Sequence, residues 1–165
     1  MLTTAISKAP PLDVERWFNT DAPLTLEALR GKVVVLHAFQ MLCPGCVAQA
    51  IPQAKRLHEI ARRRDDLVVL GLHCVFEHHA AMTPIALEAF LHEYRIAFPV
   101  AVDRPAADGP IPRTMAAYRF QGTPSTIVID RAGLVVRHSF GAEDDLVLGL
   151  VVGGLLTDGR GVGAQ

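Results

Sequence analysis

The chain has 165 residues, 50% of them hydrophobic, and a formal net charge of −1. This length suits one domain, large enough to bury a core without disulfide staples. The near balance of 16 basic and 17 acidic residues leaves no electrostatic footprint for nucleic acid or an anionic membrane surface. Three cysteines are too few for a disulfide scaffold, and an odd count leaves one unpaired.

The two ends of the chain are expected to be flexible, as an arm over residues 1–11 and a tail over residues 158–165 around a domain at residues 12–157. The start of the chain, up to Phe18, lacks the apolar core of a secretory signal. No segment reaches the roughly 18 apolar residues that a membrane span needs. As written, the sequence therefore predicts a cytoplasmic protein without a membrane span. A leader trimmed from the chain would leave the same sequence, so a periplasmic or extracytoplasmic location stays open.

Strand and helix patterns alternate in the first half of the chain. Residues 32–39 form a nearly continuous β-branched run, which is typical of a strand covered on both faces. A helix follows Cys43, because apolar residues then recur at helical spacing up to Ala61. A second strand, parallel to the first, is predicted over residues 66–73. Thr83-Pro84 supplies the N-cap and first position of another helix.

The second half of the chain predicts a hairpin and a closing helix. Further strands are predicted over residues 98–103, 126–129 and 134–137, and a short helix over residues 111–118. The last two strands flank Asp130 to Gly133, a turn sequence. Acidic residues at Glu143 to Asp145 suit the start of a helix that continues to Leu156. The whole pattern predicts an α/β fold, with a central mixed sheet flanked by helices on both faces.

The sequence Cys43-Pro44-Gly45-Cys46 stands between the end of a predicted strand and the start of a predicted helix. In that setting two cysteines three positions apart indicate redox chemistry. The spacing lets both sulfurs meet, and the N-terminus of the helix stabilises a thiolate beside it. Cys43 is then the exposed attacking thiol and Cys46 the shielded resolving thiol, with exchange through a mixed disulfide. No cofactor other than this redox-active disulfide is predicted.

Two other interpretations of the cysteine pair stay open from the residues alone. Such a pair is also half a zinc site, and although no second pair completes it, the seven histidines could supply ligands. The pair could instead be inert, on a domain that only binds a partner. Cys74 is expected to behave as a small buried hydrophobic residue, with a resolving or regulatory role as the alternative. We predict no metal site.

Motifs around the cysteine pair follow in a recognisable order from about Leu24 to Leu156. They are Leu29-Arg30-Gly31-Lys32, the cysteine motif, Pro52, Phe98-Pro99-Val100, Gly122-Thr123-Pro124-Ser125-Thr126, Gly133 and Gly141. This ordered set resembles the thioredoxin superfamily, specifically its TlpA-like and redoxin (AhpC/TSA-type) thiol–disulfide oxidoreductases. The resemblance implies a thioredoxin-like fold with an insertion between the second strand and a cis-proline hairpin. It also implies exchange with protein or small-thiol disulfides, often outside the cytoplasm.

The resemblance assigns four residues to substrate binding. Thr123 and Pro124 match the family's cis-proline loop, which lies against the cysteines and pairs with an extended peptide. Leu42 stands where the family usually carries a tryptophan, so the docking surface differs from that of thioredoxin. Pro44 follows the first cysteine directly, an order shared with glutaredoxins.

Two further residues are candidates for proton transfer or pKa tuning. His37 occupies the strand position at which thioredoxins carry a buried aspartate. A histidine there is either the base that deprotonates Cys46 or a core histidine bonded to a neighbour. Glu77, just past the second strand, resembles an acidic residue that some family members place near the active site.

Peroxiredoxins share the scaffold, so peroxidase activity has to be considered. Their reactive cysteine needs a proline seven residues before it and a threonine or serine three before it. Those positions are Leu36 and Gln40 in this chain. Efficient peroxidase chemistry is therefore not expected, and slow thiol-dependent peroxide turnover is the weaker alternative.

Overall fold

The β-branched runs of the sequence form one seven-stranded mixed sheet in the computed structural model of the protein, which describes residues 7–158. The order of strands across the sheet is β1-β7-β6-β3-β4-β5-β2. Their bounds are β1 Ser7–Lys8, β2 Val14–Phe18, β3 Val33–Phe39, β4 Leu67–His73, β5 Val100–Asp103, β6 Ser125–Ile129 and β7 Leu134–Phe140.

Four helices cover the two faces of this sheet. They are α1 Ile51–Ala61, α2 Pro84–Glu93, α3 Arg113–Tyr118 and α4 Asp145–Asp158, and a π-helical segment, Cys46–Ala50, leads into α1. Buried residues of α1, α2 and α4 belong to one core, and those of α3 belong to the core of the opposite face. The predicted mixed sheet with helices on both faces is thus confirmed. No helix within residues 7–158 has the length and apolar character needed to cross a membrane.

Strand β3 lies in the middle of the sheet, and all seven of its residues are buried. It pairs in parallel with β4, as predicted, and antiparallel with β6. Alternate residues of a strand point to opposite faces. Val33, Val35 and Phe39 therefore pack in the core beneath α1, together with Cys46. We call this side of the sheet the α1 face.

The predicted insertion between the second long strand and the hairpin contains α2, β5 and α3. Its strand β5 extends the sheet by pairing in parallel with β4, and β2 pairs antiparallel with β5 at the edge. Neither β1 nor β2 was predicted. β1 has only two residues, and the polar residues in the Val-Glu-Arg-Trp-Phe sequence of β2 give it no buried-strand pattern.

Residues 1–11 were predicted to form a flexible arm, but from Ser7 onward the structure holds this segment against the sheet. Ser7–Lys8 pairs antiparallel with β7, so the edge of the sheet gains backbone hydrogen bonds there. Ala9 is buried, and the hydroxyl of Tyr118 donates to the carbonyl of Pro10 at 2.8 Å. Residues 1–6 and 159–165 of the predicted arm and tail lie outside the described residues, while Asp158 is the last residue of α4.

Helix α3 is held on the sheet by a carboxylate from another element. Its own N-cap is Pro112, which makes no side-chain cap hydrogen bond. The buried side chain of Asp103, at the end of β5, instead accepts the backbone N–H groups of Thr114 at 2.7 Å and Met115 at 2.8 Å. These are donors that a helix start leaves unpaired. Asp103 thereby fixes the helix from which the chain continues into the Thr123-Pro124 loop.

We expect Asp103→Ala to lower the free energy of unfolding by about 1–3 kcal/mol, because it leaves buried N–H groups without an acceptor. Urea unfolding of the oxidised protein measures this change. The matched control is Asp108→Ala on an exposed loop of the same insertion, for which we expect a change within about 0.5 kcal/mol. Equal unfolding free energies for the two variants would contradict the capping role.

Candidate active site

The cysteine pair lies where β3 ends and the first long helical segment begins. Cys43 and Cys46 form a disulfide with Cα atoms 5.2 Å apart. Cys46, the first residue of the π segment, is fully buried, whereas Cys43 is only half-buried. The backbone N–H of Cys46 donates to the sulfur of Cys43 at 3.2 Å. This N–H at the start of the helix can stabilise a thiolate on Cys43, the more accessible sulfur of the pair.

The helical segment after the pair is irregular for a reason that the sequence contains. Pro52 has no N–H to donate to the carbonyl of Ala48, four residues earlier, so it interrupts the ladder of an α-helix. The π segment ends directly before α1, which has Pro52 in its first turn, and the N–H of Ile51 donates to the carbonyl of Cys46. Such π turns occur often at functional sites.

The Thr123–Pro124 peptide bond is cis, and its loop packs against the cysteine motif. The carbonyl oxygen of Thr123 lies 3.5 Å from the sulfur of Cys43. A Cβ atom added to Gly45 would lie 3.4 Å from the ring of Pro124, an ordinary contact distance, so the loop lies directly against the motif. The loop is held on its other side by the N–H of Gly141, which donates to the carbonyl of Pro124 at 2.8 Å.

Apolar side chains are exposed around the half-buried sulfur. Leu42, directly before Cys43, has 58% of its surface exposed, and Pro44 after it is also exposed. Phe140, at the end of β7, is 55% exposed and lies beside Gly122 of the cis-proline loop. Sequence analysis missed Phe140, because only the pairing of β7 with β6 places it next to this loop.

His37 lies fully buried in β3, on the same face of the sheet as Val35 and Phe39. Its Nδ1 is 3.4 Å from the hydroxyl of Thr126, and its Nε2 has no hydrogen-bond partner among the described residues. Burial lowers the pKa of His37 to about 4, against the opposing charge of Glu143. The ring is therefore neutral at pH 7. With the Nδ1 proton donated to Thr126, Nε2 has a free lone pair on the face that contains Cys46.

Two more buried polar residues hold the turn that ends at Cys43, and the sequence analysis gave them no such role. The backbone N–H of Met41 donates to Nε2 of His73 at 3.4 Å. The N–H of Cys43 donates to the backbone carbonyl of Gln40 at 3.3 Å. Burial lowers the pKa of His73 to about 4, so this acceptor also is neutral at pH 7. His73, a polar residue at the end of a buried strand, was the sequence signal for this turn.

The remaining candidates lie apart from this cluster. Glu77 is exposed on the loop after β4. Cys74 is buried in the core of the opposite face, where burial raises its thiol pKa well above the usual range. Cys46 belongs to the core of the α1 face, so the sheet separates the two thiols. Within residues 7–158, no group of three or more His, Cys, Asp or Glu side chains is arranged to hold a metal ion.

Several solved structures and curated sequences are similar to this chain. The thioredoxin-like superfamily protein SPOA0173 has a TM-score of 0.87 at 55% identity, covering 98% of this chain and 100% of that one. A thiol-disulfide isomerase from Corynebacterium glutamicum has a TM-score of 0.83 at 52% identity, covering 90% and 97%. Protein DipZ of Mycobacterium tuberculosis is 30% identical over 155 residues, but this chain spans only 21% of its length.

The predicted thioredoxin-like fold is confirmed by these structural matches. The model of the AhpC/TSA family matches residues 6–138, which include the cysteine motif and the cis-proline loop. The chain belongs to the AhpC/TSA family, as a redoxin of the thioredoxin superfamily.

Proposed function

We propose that this protein is a thiol–disulfide oxidoreductase that exchanges disulfides with protein or small-thiol substrates through Cys43 and Cys46. The observation that carries the proposal is the disulfide itself. It joins one accessible and one buried sulfur at a helix N-terminus, beside a cis-proline loop. The similarity to a thiol-disulfide isomerase at 52% identity supports the same reaction class.

The exchange proceeds in two steps, written here in the direction that reduces the substrate. The thiolate of Cys43 attacks one sulfur of the substrate disulfide, and the other substrate sulfur leaves with the electron pair of the broken bond. The thiol of Cys46 then loses its proton, and its sulfur attacks the mixed disulfide at Cys43. The Cys43–Cys46 disulfide forms, and the second substrate sulfur leaves as a thiolate. Two electrons pass to the substrate, and the reverse sequence oxidises it.

Substrate binding is assigned to the loop and the apolar residues around Cys43. An extended peptide pairs with the backbone of Thr123, which lies beside the attacking sulfur. The exposed side chains of Leu42 and Phe140 favour substrates with apolar residues near their cysteine. Pro44 completes this surface on the helix side.

His37 is the base that we assign to the second step. It is neutral at pH 7 because its pKa is lowered to about 4, and its Nε2 has no hydrogen-bond partner among the described residues. A buried thiol is a poor nucleophile until its proton is removed. His37 removes that proton from Cys46 on the α1 face of the sheet.

Cys43→Ser is expected to abolish disulfide exchange, and Cys46→Ser is expected to accumulate the mixed disulfide, since the resolving thiol is missing. Insulin reduction with dithiothreitol measures the first effect, and mass spectrometry of the protein–substrate adduct measures the second. Cys74→Ala is the matched control, because it removes a thiol that the sheet separates from the pair. Exchange by Cys43→Ser at the wild-type rate would contradict the proposal.

His37→Asn is expected to slow the resolving step by on the order of 10²-fold near pH 7. In wild type the step should slow as the pH falls through about 4, because a protonated His37 accepts no proton. The reduced protein is mixed with excess 5,5′-dithiobis(2-nitrobenzoate) in a stopped-flow instrument between pH 3 and 8, with the absorbance of the released thiol calibrated at each pH. The first release of coloured thiolate reports attack by Cys43, and the second reports resolution by Cys46.

The control for this experiment is His92→Asn, a substitution on the exposed surface of α2. It should leave both phases of thiolate release unchanged. If His37→Asn also keeps the wild-type second phase at every pH, His37 has no role in proton transfer, and the exchange chemistry of the two cysteines stands without it.

A further inference from the structure

A row of polar side chains crosses the α1 face of the sheet at His37. The registers pair His37 of β3 with Thr126 of β6, and Thr126 with Ser139 of β7. Residues directly opposite each other on neighbouring strands share a face. On the other side of His37, β4 contributes Gly71, which has no side chain. The row therefore leads from His37 in one direction only, toward β7.

Glu143, in the loop between β7 and α4, lies at the β7 end of this row. The hydroxyl of Ser139 donates to its carboxylate and lies 3.5 Å from the carbonyl of Thr126. Arg137 donates to the two carboxylate oxygens of Glu143 at 2.8 Å each, from Nε and Nη2. The side chain of Glu143 is only 4% exposed, whereas that of Arg137 is 32% exposed. The carboxylate is thus buried between the polar row and its partly solvated counter-ion.

Glu143 is charged at neutral pH despite this burial. Burial acts to raise its pKa, but the hydrogen bonds from Arg137 and Ser139 outweigh it and hold the pKa of Glu143 below its ordinary value. A buried carboxylate has a large desolvation cost, which a single ion pair does not always offset. Such groups occur often where a reaction needs a fixed charge.

We propose that Glu143 is a positioning residue for disulfide exchange, whose carboxylate stabilises the imidazolium that His37 forms when it takes the proton of Cys46. This inference rests on the function proposed above and extends it. The carboxylate of Glu143 accepts hydrogen bonds only from Arg137 and Ser139 among the described side chains, and has no cation facing it from the side of a neutral His37. When the S–H bond of Cys46 breaks and an N–H bond forms at Nε2 of His37, a positive charge appears in the core. Glu143 supplies the fixed opposite charge, and the proton later passes to solvent or to the departing substrate thiolate.

The other titratable groups on this face do not supply that charge. They include Cys46 at the start of the π segment, His73 at the end of β4, Arg137 on β7 and His58 on α1, whose pKa is lowered by burial. His73 is neutral at pH 7, and the positive charge of Arg137 opposes an imidazolium. Charged side chains of α1, such as Arg56 and Glu59, are largely exposed, and α4 carries no charge between its two terminal aspartates. The charge of Glu143 is accordingly the one that acts to raise the pKa of His37.

Glu143→Gln tests the inference, because it keeps the shape of the side chain and removes its charge. We expect the resolving phase at pH 7 to slow by about three- to tenfold, since His37 becomes a weaker base, while the phase that reports attack by Cys43 stays unchanged. The pKa of His37, followed by NMR in the reduced protein, should fall. The matched control is Asp145→Asn, which removes the charge of an exposed carboxylate two residues away that binds Arg56, and keeps an oxygen that can accept from Gln53. It should leave both readouts at their wild-type values.

A second variant separates a charge effect from a loss of structure. Arg137→Gln removes the counter-ion of Glu143, so it is expected to raise the pKa of His37 and to speed the resolving phase. If the Arg137–Glu143 pair only supports the structure, Glu143→Gln and Arg137→Gln should change the resolving rate in the same direction. That result would overturn the inference. The inference would also be overturned if Glu143→Gln and Asp145→Asn had the same resolving rate and the same pKa of His37. In either case the proposed function would stand if wild type still released thiolate in two phases and Cys43→Ser did not.

Discussion

The burial of β3 is the constraint on which the rest of the site depends. Strands on both sides and cores on both faces hold this strand, so its last residue, Phe39, has a fixed position. The chain then has only the turn at Gln40 to Leu42 before Cys43 reaches the start of the helix. The sulfur is placed beside the N–H of Cys46 and the carbonyl of Thr123 by the packing of a strand, which tolerates little displacement.

Polar atoms without partners gather around the end of this strand. Among the described residues, buried side-chain atoms that lack a hydrogen bond are found in His37, Gln40, His73 and Arg131. The first three lie on β3, directly after it, or at the end of the neighbouring strand. A buried polar group without a partner has a free-energy cost of about 1–3 kcal/mol. The position of these three residues beside the cysteines suits a site that must accept and release a proton.

The sequence was sufficient to predict the parts of the site that are local in the chain. The β-branched run before Cys43 and the Gly-Thr-Pro motif each identify a structure from adjacent residues. The positions of Phe140 and Glu143 depend instead on the register of β7 with β6, which pairing across the sheet decides. For His37, one ring nitrogen faces Thr126 and the other has no partner among the described residues, so its role as a base stays a prediction. Which face of the strand carries this ring is a property of the folded sheet.

The central claim is that the fold makes Cys43 an activated thiol, and the pH dependence of its alkylation tests that claim most directly. In the reduced protein, the rate of reaction of Cys43 with iodoacetamide reports the fraction of thiolate. The N–H of Cys46 and the start of the helix should lower the pKa of Cys43 below the value of about 8.5 for a free cysteine. A Cys43 thiol that titrates at or above that value would contradict the account, because the helix start would then contribute nothing to the chemistry of the pair.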